Sequence, residues 1–352
     1  MRPPPRRGMD DARQCLHHRP MTDHAERFLV FAGMRNEGAF LVEWISWYRM
    51  MGFEILVGVN DCTDRSPALL DAFAKAGWLE WFEHRPPDGM PPKQSAHAHA
   101  RRHPATARTD WLLICDVDEF LVLHRGDGTI SSYLDDLGRG FLGVAFHWQC
   151  FGTGGWKRYQ PGLVHRQFRR RGPSARPVNV MVKTLFRTPH RFGRWSDHMP
   201  WEFDGTWDRG ANRIVDSEGR IVEELLTEPH PVRYTDVGQV THRYAQMNHY
   251  VLRSHEQYDM KRGTLSATAA KDRYTQTFFE RRDRNGRRDL AALAHAAAFD
   301  RVHAEAMALP GVARLHHLCC ADLVARLCAH QGRAPREDPR WQAAIEAAEA
   351  AG

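Results

Sequence analysis

The sequence predicts an α/β fold, with a mainly parallel sheet flanked by helices and a helical C-terminal extension. Three observations predict it. Over residues 28–115, short apolar runs alternate with stretches of helical periodicity. Most of those runs end in polar or acidic residues. From about Asp289 the chain becomes Ala-rich and helical. At 352 residues, with 42% hydrophobic and 26% charged, the chain can fill the core of one large domain and is too apolar for global disorder.

Phe28–Met34 (FLVFAGM) reads as a buried strand that ends in Arg35-Asn36-Glu37. Asn36 is placed to cap the next helix, whose Phe40, Trp44, Trp47, Tyr48 and Met51 recur on one face. Gly52 closes that helix. Glu54–Val59 (EILVGV) is a second strand, running into Asn60-Asp61-Cys62-Thr63-Asp64. Residues 66–77 form a second helix with Pro67 in its first turn. Residues 78–82 are a short third strand, and 94–102 a third helix that stops near Pro104. Residues 111–115 (WLLIC) are a fourth strand and deliver Asp116-Val117-Asp118-Glu119. This alternation implies right-handed βαβ units. Residues 141–148 and 178–186 read as further strands, and 195–240 has weak periodicity. The C-terminal helices break at Pro310-Gly311.

No apolar run approaches the ~20 residues that span a bilayer. The N-terminal 20 residues lack the apolar stretch of a signal peptide and read as a disordered arm, with Met21 as a second candidate start. The seven cysteines are odd in number and include no CxxC pair. That pattern argues against a disulfide framework or zinc knuckle and for a reducing, cytoplasmic compartment. Cys115, inside a strand, is expected to be a buried thiol.

The formal charge of +6 is unevenly spread. From Leu137 to Ser196 there is no acidic residue but twelve Lys or Arg, so the rest of the chain carries −6. The same region carries Trp148, Trp156, Trp195, Trp201 and Trp207, side chains suited to sugar faces or to the core, and at least two of the five are expected to be buried. The block is read as a phosphate- and acceptor-handling region, or as a contact with anionic lipid headgroups; Arg169-Arg170-Arg171 taken alone reads as a solvated basic loop.

The strongest chemical signal is Asp116-Val117-Asp118 at a strand end. On an extended chain, residues i and i+2 point the same way, so both carboxylates would face one ligand at the carboxyl edge of the sheet. Two such charges need a cation between them, and Mn2+ or Mg2+ suits carboxylate oxygens. A solvated acidic turn is the plain alternative. Arg35-Asn36-Glu37 and Asp61 lie at the same edge, where Asn and Asp can bond a base or ribose and Arg a phosphate. Asn and Asp are also common turn formers.

MRNEGAFLVEWISWYRMMGFEILVGVNDCTDRS, then Gln94, then DWLLICDVDEFL resembles the nucleotide-sugar half of a family-2-like glycosyltransferase with the GT-A fold. The resemblance is strong over residues 28–124. It continues more weakly through Lys183, His198 and NHYVLRS (248–254), then Lys261-Arg262-Gly263. It implies a GT-A-type, Rossmann-like sheet. Residues 1–25 would be the arm, 26–136 the nucleotide-sugar half, 137–285 the acceptor half and 286–352 the helical extension. Arg35, Asn36, Glu37, Asp61, Asp116 and Lys183 would line the nucleotide-sugar site. Asp116 and Asp118 would hold Mn2+ or Mg2+ together with a late histidine, His249 first and His198 second. The reaction it implies is a metal-dependent, inverting transfer of a sugar from a nucleotide-diphosphate donor to a hydroxyl. The acceptor would be a saccharide or lipid-linked molecule in surface polysaccharide or glycolipid synthesis, reached in the cytoplasm or at the cytoplasmic membrane face. An inverting transfer needs a carboxylate base. Asp197, the first acid after the gap, is the candidate, with Glu202 and Asp204 close behind.

Two other readings stay open. A strand followed by DVDE also opens haloacid-dehalogenase-like phosphatases, although Glu119-Phe120 stand where that family has a Gly-Thr-like pair. The basic block, with Phe168, Trp148 and Trp156, could bind polyanions or nucleic acid. The acidic remainder of the chain speaks against nucleic acid as a partner.

Overall fold

The computed structural model describes residues 25–226, 233–265 and 272–352. The N-terminal arm up to residue 24, with the second start at Met21, lies outside the described residues.

The first half follows the predicted alternation. Strands β1 (Phe28–Met34), β2 (Glu54–Val59), β3 (Glu80–Glu83) and β4 (Trp111–Ile114) alternate with helices α1 (Gly38–Met50), α2 (Ser66–Lys75), α3 (Pro92–Arg102) and α4 (Pro104–Ala107). The strands pair in parallel in the order β3-β2-β1-β4. Parallel strands need both faces covered, which is why β1 and β2 are almost continuously apolar and buried.

The second half is β5 (Glu119–Leu123), α5 (Ile130–Leu137), β6 (Gly143–Cys150), α6 (Val164–Gln167), β7 (Arg170–Arg171), β8 (Val182–Arg187), β9 (Phe192–Trp195), β10 (Pro200–Phe203), β11 (Ile214–Asp216) and β12 (Ala245–His249). Then come α7 (His255–Lys261), α8 (Gln276–Arg282), β13 (Arg287–Arg288), α9 (Ala296–Met307), α10 (Val312–His330) and α11 (Pro339–Ala350). The main sheet runs β3-β2-β1-β4-β8-β6-β12-β5, with β11 beside β6. Its β8 is antiparallel to β4 and β6, and β12 is antiparallel to β5 but parallel to β6. Parallel ladders prevail, so the predicted mainly parallel α/β class holds.

Helix α1 is buried on nearly every side. Trp44, Trp47 and Tyr48 are fully buried, each burial stabilising by about 1.5–3 kcal/mol. The reason is placement: α1 lies against the sheet and also under α9 and α10. Phe299 and Val312 belong to the same continuous core as Phe28 and Trp44. The C-terminal extension is therefore packed into the domain rather than appended to it.

Three local expectations change. Asn36 does not cap α1. It takes a left-handed backbone (φ 59°), and its Oδ1 accepts from Thr63 N–H (2.7 Å) and Asp64 N–H (3.1 Å). Asp64 Oδ2 instead accepts from Gly38 N–H at the start of α1 (3.2 Å). The two strand-end loops thus cap one another. Second, strands β5 and β12 were not anticipated. Third, the basic block is not a bare positive surface. Arg139, Arg166, Arg171, Arg187, Arg191 and Arg194 pair with acids that lie outside the block. Among its tryptophans, Trp148 and Trp195 are buried, as is Phe168, so the aromatic platform expected for nucleic acid is largely core.

Candidate active site

A cavity of about 660 Å³ opens at the carboxyl edge of β1, β2 and β4. Its lining includes Arg35, Glu37, Asn60, Lys93, Asp116, Asp118, Asp197, His198 and His249. This is the edge at which open α/β sheets bind ligands.

Asp116 and Asp118 do not sit on an extended chain. Glu119 N–H donates to Asp116 O (3.0 Å), closing a turn over residues 116–119. The two carboxylates therefore have separate partners. Asp116 is gripped by Lys93 and by Lys183 (3.3 Å). Burial opposes its ionisation, but Lys183 and Lys93 outweigh that and hold it far below the usual carboxylate range. Lys93 starts α3, and that helix comes close to β1 at Gly33, where an added Cβ would stand 3.0 Å from Ala96 Cβ. Lys183 is fully buried on β8 and also meets Glu119 (2.8 Å). It stands behind Asp116 rather than lining the cavity. Burial raises Glu119 to about 7, although Lys183 opposes the shift.

Asp118 faces the other way. Tyr250 N–H donates to Asp118 O (2.9 Å), and the β5–β12 register sets His249 opposite Glu119. His249 Nε2 consequently stands 3.7 Å from Asp118 Oδ1, and Lys261 Nζ is 3.9 Å from Asp118 Oδ2. Burial opposes ionisation of Asp118 too, yet the cations Lys261 and Arg253 help to hold it below its ordinary value. Burial pushes His249 down to about 3, which keeps its ring neutral, and its Nδ1 has no hydrogen-bond partner among the described residues.

These donors can be tested for a divalent cation. The 3.7 Å gap is too long for a hydrogen bond. Two neighbouring ligands of one octahedral ion, at roughly 2.1 Å each, stand about 3.0 Å apart, so this pair would close slightly to share one. Among the described residues no group of three His, Cys, Asp or Glu side chains forms a metal cage. Asp118 and His249 are thus the two donors that could hold such an ion, and Mg2+-type ions commonly take their remaining ligands from phosphate and water.

Asp197 and His198 lie in the connection between β9 and β10. Asp197 pairs with His97 Nε2 (3.2 Å) and Lys93 Nζ (3.4 Å). Burial resists its charge, but Lys93 and His97 hold its carboxyl well below the usual range. His198 Nδ1–H donates to Val182 O (2.9 Å), and burial lowers its pKa to about 4.

The residues expected around a nucleotide divide between two cavities. Arg35 and Glu37 line both the large cavity and a smaller neighbour of about 290 Å³, whereas Asn36 and Asp61 line only the smaller one. Among the described residues, the Lys and Arg lining the large cavity are Arg35, Lys93, Arg233, Lys261, Arg273 and Arg282. None belongs to the basic block; of that block, Lys183 alone reaches the site charges, from behind. Lys93 and His97 were missed because nothing in PPKQSAHAHA marks a site until α3 is docked against β1. Asn60, which adjoins Asp61 in the strand-end cluster, lines the large cavity where Asp61 does not.

No protein-family model matches the chain, and no curated protein matches it. Solved structures that align with it include S. aureus TarS, 10% identical over 91% of this chain, with a TM-score of 0.32. The chain spans 55% of the length of that protein. TarS 1–349 in complex with UDP-GlcNAc is 13% identical, with 92% of each chain covered and a TM-score of 0.30. The S. cerevisiae mannosyltransferase Ktr4p is 8% identical over 37% of this chain and 41% of its own, with a TM-score of 0.23. Likeness at this level carries no weight for function, which rests on the cavity itself.

Proposed function

We propose that this chain is a glycosyltransferase that moves a sugar from a nucleoside-diphosphate donor to a hydroxyl acceptor. One observation carries the reading. A single cavity at the carboxyl edge of the sheet combines the Asp118–His249 pair with a ring of cations and an ionised Asp197. A diphosphate leaving group needs that positive surround, because its charge grows as the sugar departs.

In this reading Asp118 and His249 would hold Mn2+ or Mg2+, and the ion supplies positive charge to the phosphate oxygens when bound. Asp116, kept ionised by Lys93 and Lys183, accepts hydrogen bonds from the donor's ribose. Arg35, shared by both cavities, meets phosphate. Asn36, Glu37 and Asp61 border the donor on the side of the smaller cavity. Asp197 takes the acceptor's proton in an inverting displacement. Its pairs with Lys93 and His97 keep it charged but weaken it as a base. The acceptor is a saccharide or lipid-linked hydroxyl. No described helix is long and apolar enough to cross a membrane, and the enzyme acts in the cytoplasm or at a membrane face.

The test is transfer and donor hydrolysis with a panel of nucleotide sugars and Mn2+, comparing wild type with Asp118→Ala. Sugar release that depends on Asp118 supports the reading. Failure to bind any nucleoside diphosphate sinks it. Turnover of a generic aryl phosphate by way of Asp116 would favour a phosphatase instead.

A further inference from the structure

The smaller cavity lies between the start of α1, α7 and α10. Among the described residues its lining holds four cations, Arg35, Arg253, Lys261 and Arg326, against two carboxylates, Glu37 and Asp61. Arg253 is the unusual member. Its side chain is only 3% exposed, and Nη1 donates to Glu37 Oε2 at 3.0 Å. Its Nε and Nη2 are buried and have no hydrogen-bond partner among the described residues. Those two groups form the edge of a guanidinium that grips a carboxylate or phosphate with two parallel bonds. Buried donors left unpaired are costly and rare. Arg253 is also held with a left-handed backbone (φ 53°), an uncommon state for a non-glycine residue. Its guanidinium is stacked 3.5 Å over the Phe40 ring, which fixes its plane.

The C-terminal extension completes this cavity. Leu323 and Arg326 of α10 line it, and Arg326 Nη1 donates to Asn36 O (3.2 Å). Asp322 accepts from Arg65 N–H (3.0 Å) in the second strand-end loop. At Gly38 an added Cβ would stand 2.5 Å from Cys319 Sγ, so α10 seats directly on the start of α1. The helix thus holds both strand-end loops and adds a cation beside them.

We infer that this smaller cavity is an anion subsite for a phosphate or carboxylate group, which Arg253 takes through its Nε/Nη2 edge with Arg326 and Arg35 beside it. The inference stands on the cavity and does not require sugar transfer. The anion is either part of the donor in the large cavity, since Arg35, Glu37 and Lys261 line both, or a separate ligand.

The experiment is calorimetric titration of the full chain with inorganic phosphate, for wild type, Arg326→Gln and Arg253→Lys. Arg326 is only partly buried, so R326Q is expected to fold normally, as melting without phosphate will verify. R253K keeps the charge and loses the fork. The expected result is saturable binding by wild type, weakened about tenfold in each variant. If R253K fails to fold, R326Q decides alone. No binding by wild type, or equal binding by wild type and R326Q, overturns the inference. Repeating the titration with a nucleoside diphosphate present separates the sources. Displacement, with weaker diphosphate binding by R326Q, assigns the anion to the donor. Simultaneous binding assigns it to a second ligand. Because no step reads turnover, phosphate binding without transfer would leave the subsite standing and sink only the transferase reading.

Discussion

The two halves of the sheet build the site by different means. In the parallel half, β1–β4, the cavity is lined where strands end: Arg35, Asn60 and Asp116 follow one another at a single edge. In the mixed half, strand pairing brings the cavity's side chains together. His249 reaches Asp118 only because β12 runs antiparallel to β5 in a register that sets His249 against Glu119. Lys183 reaches Asp116 only because β8 lies beside β4. The comparison teaches that the first half presents polar groups to a ligand, while the second supplies the partners that give each carboxylate its charge environment.

Asp118→Ala breaks the meeting point of the halves and has the largest expected effect. Transfer should fall by about a hundred- to a thousandfold, read as turnover on the best nucleotide sugar at saturating Mn2+. Asp197→Asn should lower turnover by about a hundredfold with little change in KM; an unchanged turnover would remove Asp197 as the base. Lys183→Met tests the partnership between halves through stability. It leaves Glu119 without its buried cation and Asp116 with Lys93 alone, and breaking a buried pair costs about 3–5 kcal/mol. Denaturant unfolding would read that loss.

A smaller effect concerns pH. His147 on β6 is held at about 3, and His84 beyond β3 and His242 before β12 at about 4, in each case chiefly by burial. Their folded values lie below the ordinary 6.5, so the unfolded chain binds protons first. Stability is full above about pH 6.5 and is lost as pH falls toward 4. The depressed values of Asp116 and Asp197 act in the same direction at lower pH. Melting curves from pH 7.5 to 4 should show a fall of roughly 5 °C or more; a flat profile would contradict the burial of these rings. Trp156→Ala should matter least. At 38% exposure, away from both site cavities, it should change stability by no more than about 0.5 kcal/mol.

The same contrast explains what could be read from the chain. Strands β1, β2 and β4 and helices α1 and α2 were legible because each is an apolar run or stripe with its own local period. Strand β12 (AQMNH) was not. Its Gln246 and Asn248 are buried yet polar, and they satisfy one another: Gln246 Nε2 donates to Asn248 Oδ1 (2.6 Å), and Asn248 Nδ2 to Tyr250 Oη (2.9 Å). Its Ala-Gln-Met-Asn alternation covers only four residues and reads as one wet face, whereas both faces are buried. Strand β5 was hidden because Glu119, fully buried on Lys183, reads as part of the acidic motif. The candidate site shows the same split. Asp116, Asp118 and Arg35 were visible as a motif, and His249 was picked from 21 histidines only through the family resemblance. Lys93, His97, Arg326 and the unpaired edge of Arg253 depend on docking distant segments. The basic block misled because charge along the chain does not say where its counter-ions lie. Arg166 and Arg171 find theirs at Asp300 and Asp289, more than 100 residues away.

The central claim is that Asp118 and His249, one from each half, share a divalent ion at the donor's phosphates. Pulsed electron paramagnetic resonance of Mn2+ bound to the full chain with a nucleoside diphosphate tests it most directly. The account predicts coupling to one imidazole nitrogen and to phosphorus, with the nitrogen signal lost in His249→Gln. Mn2+ bound without nitrogen coupling, or with coupling that survives in H249Q, would contradict it.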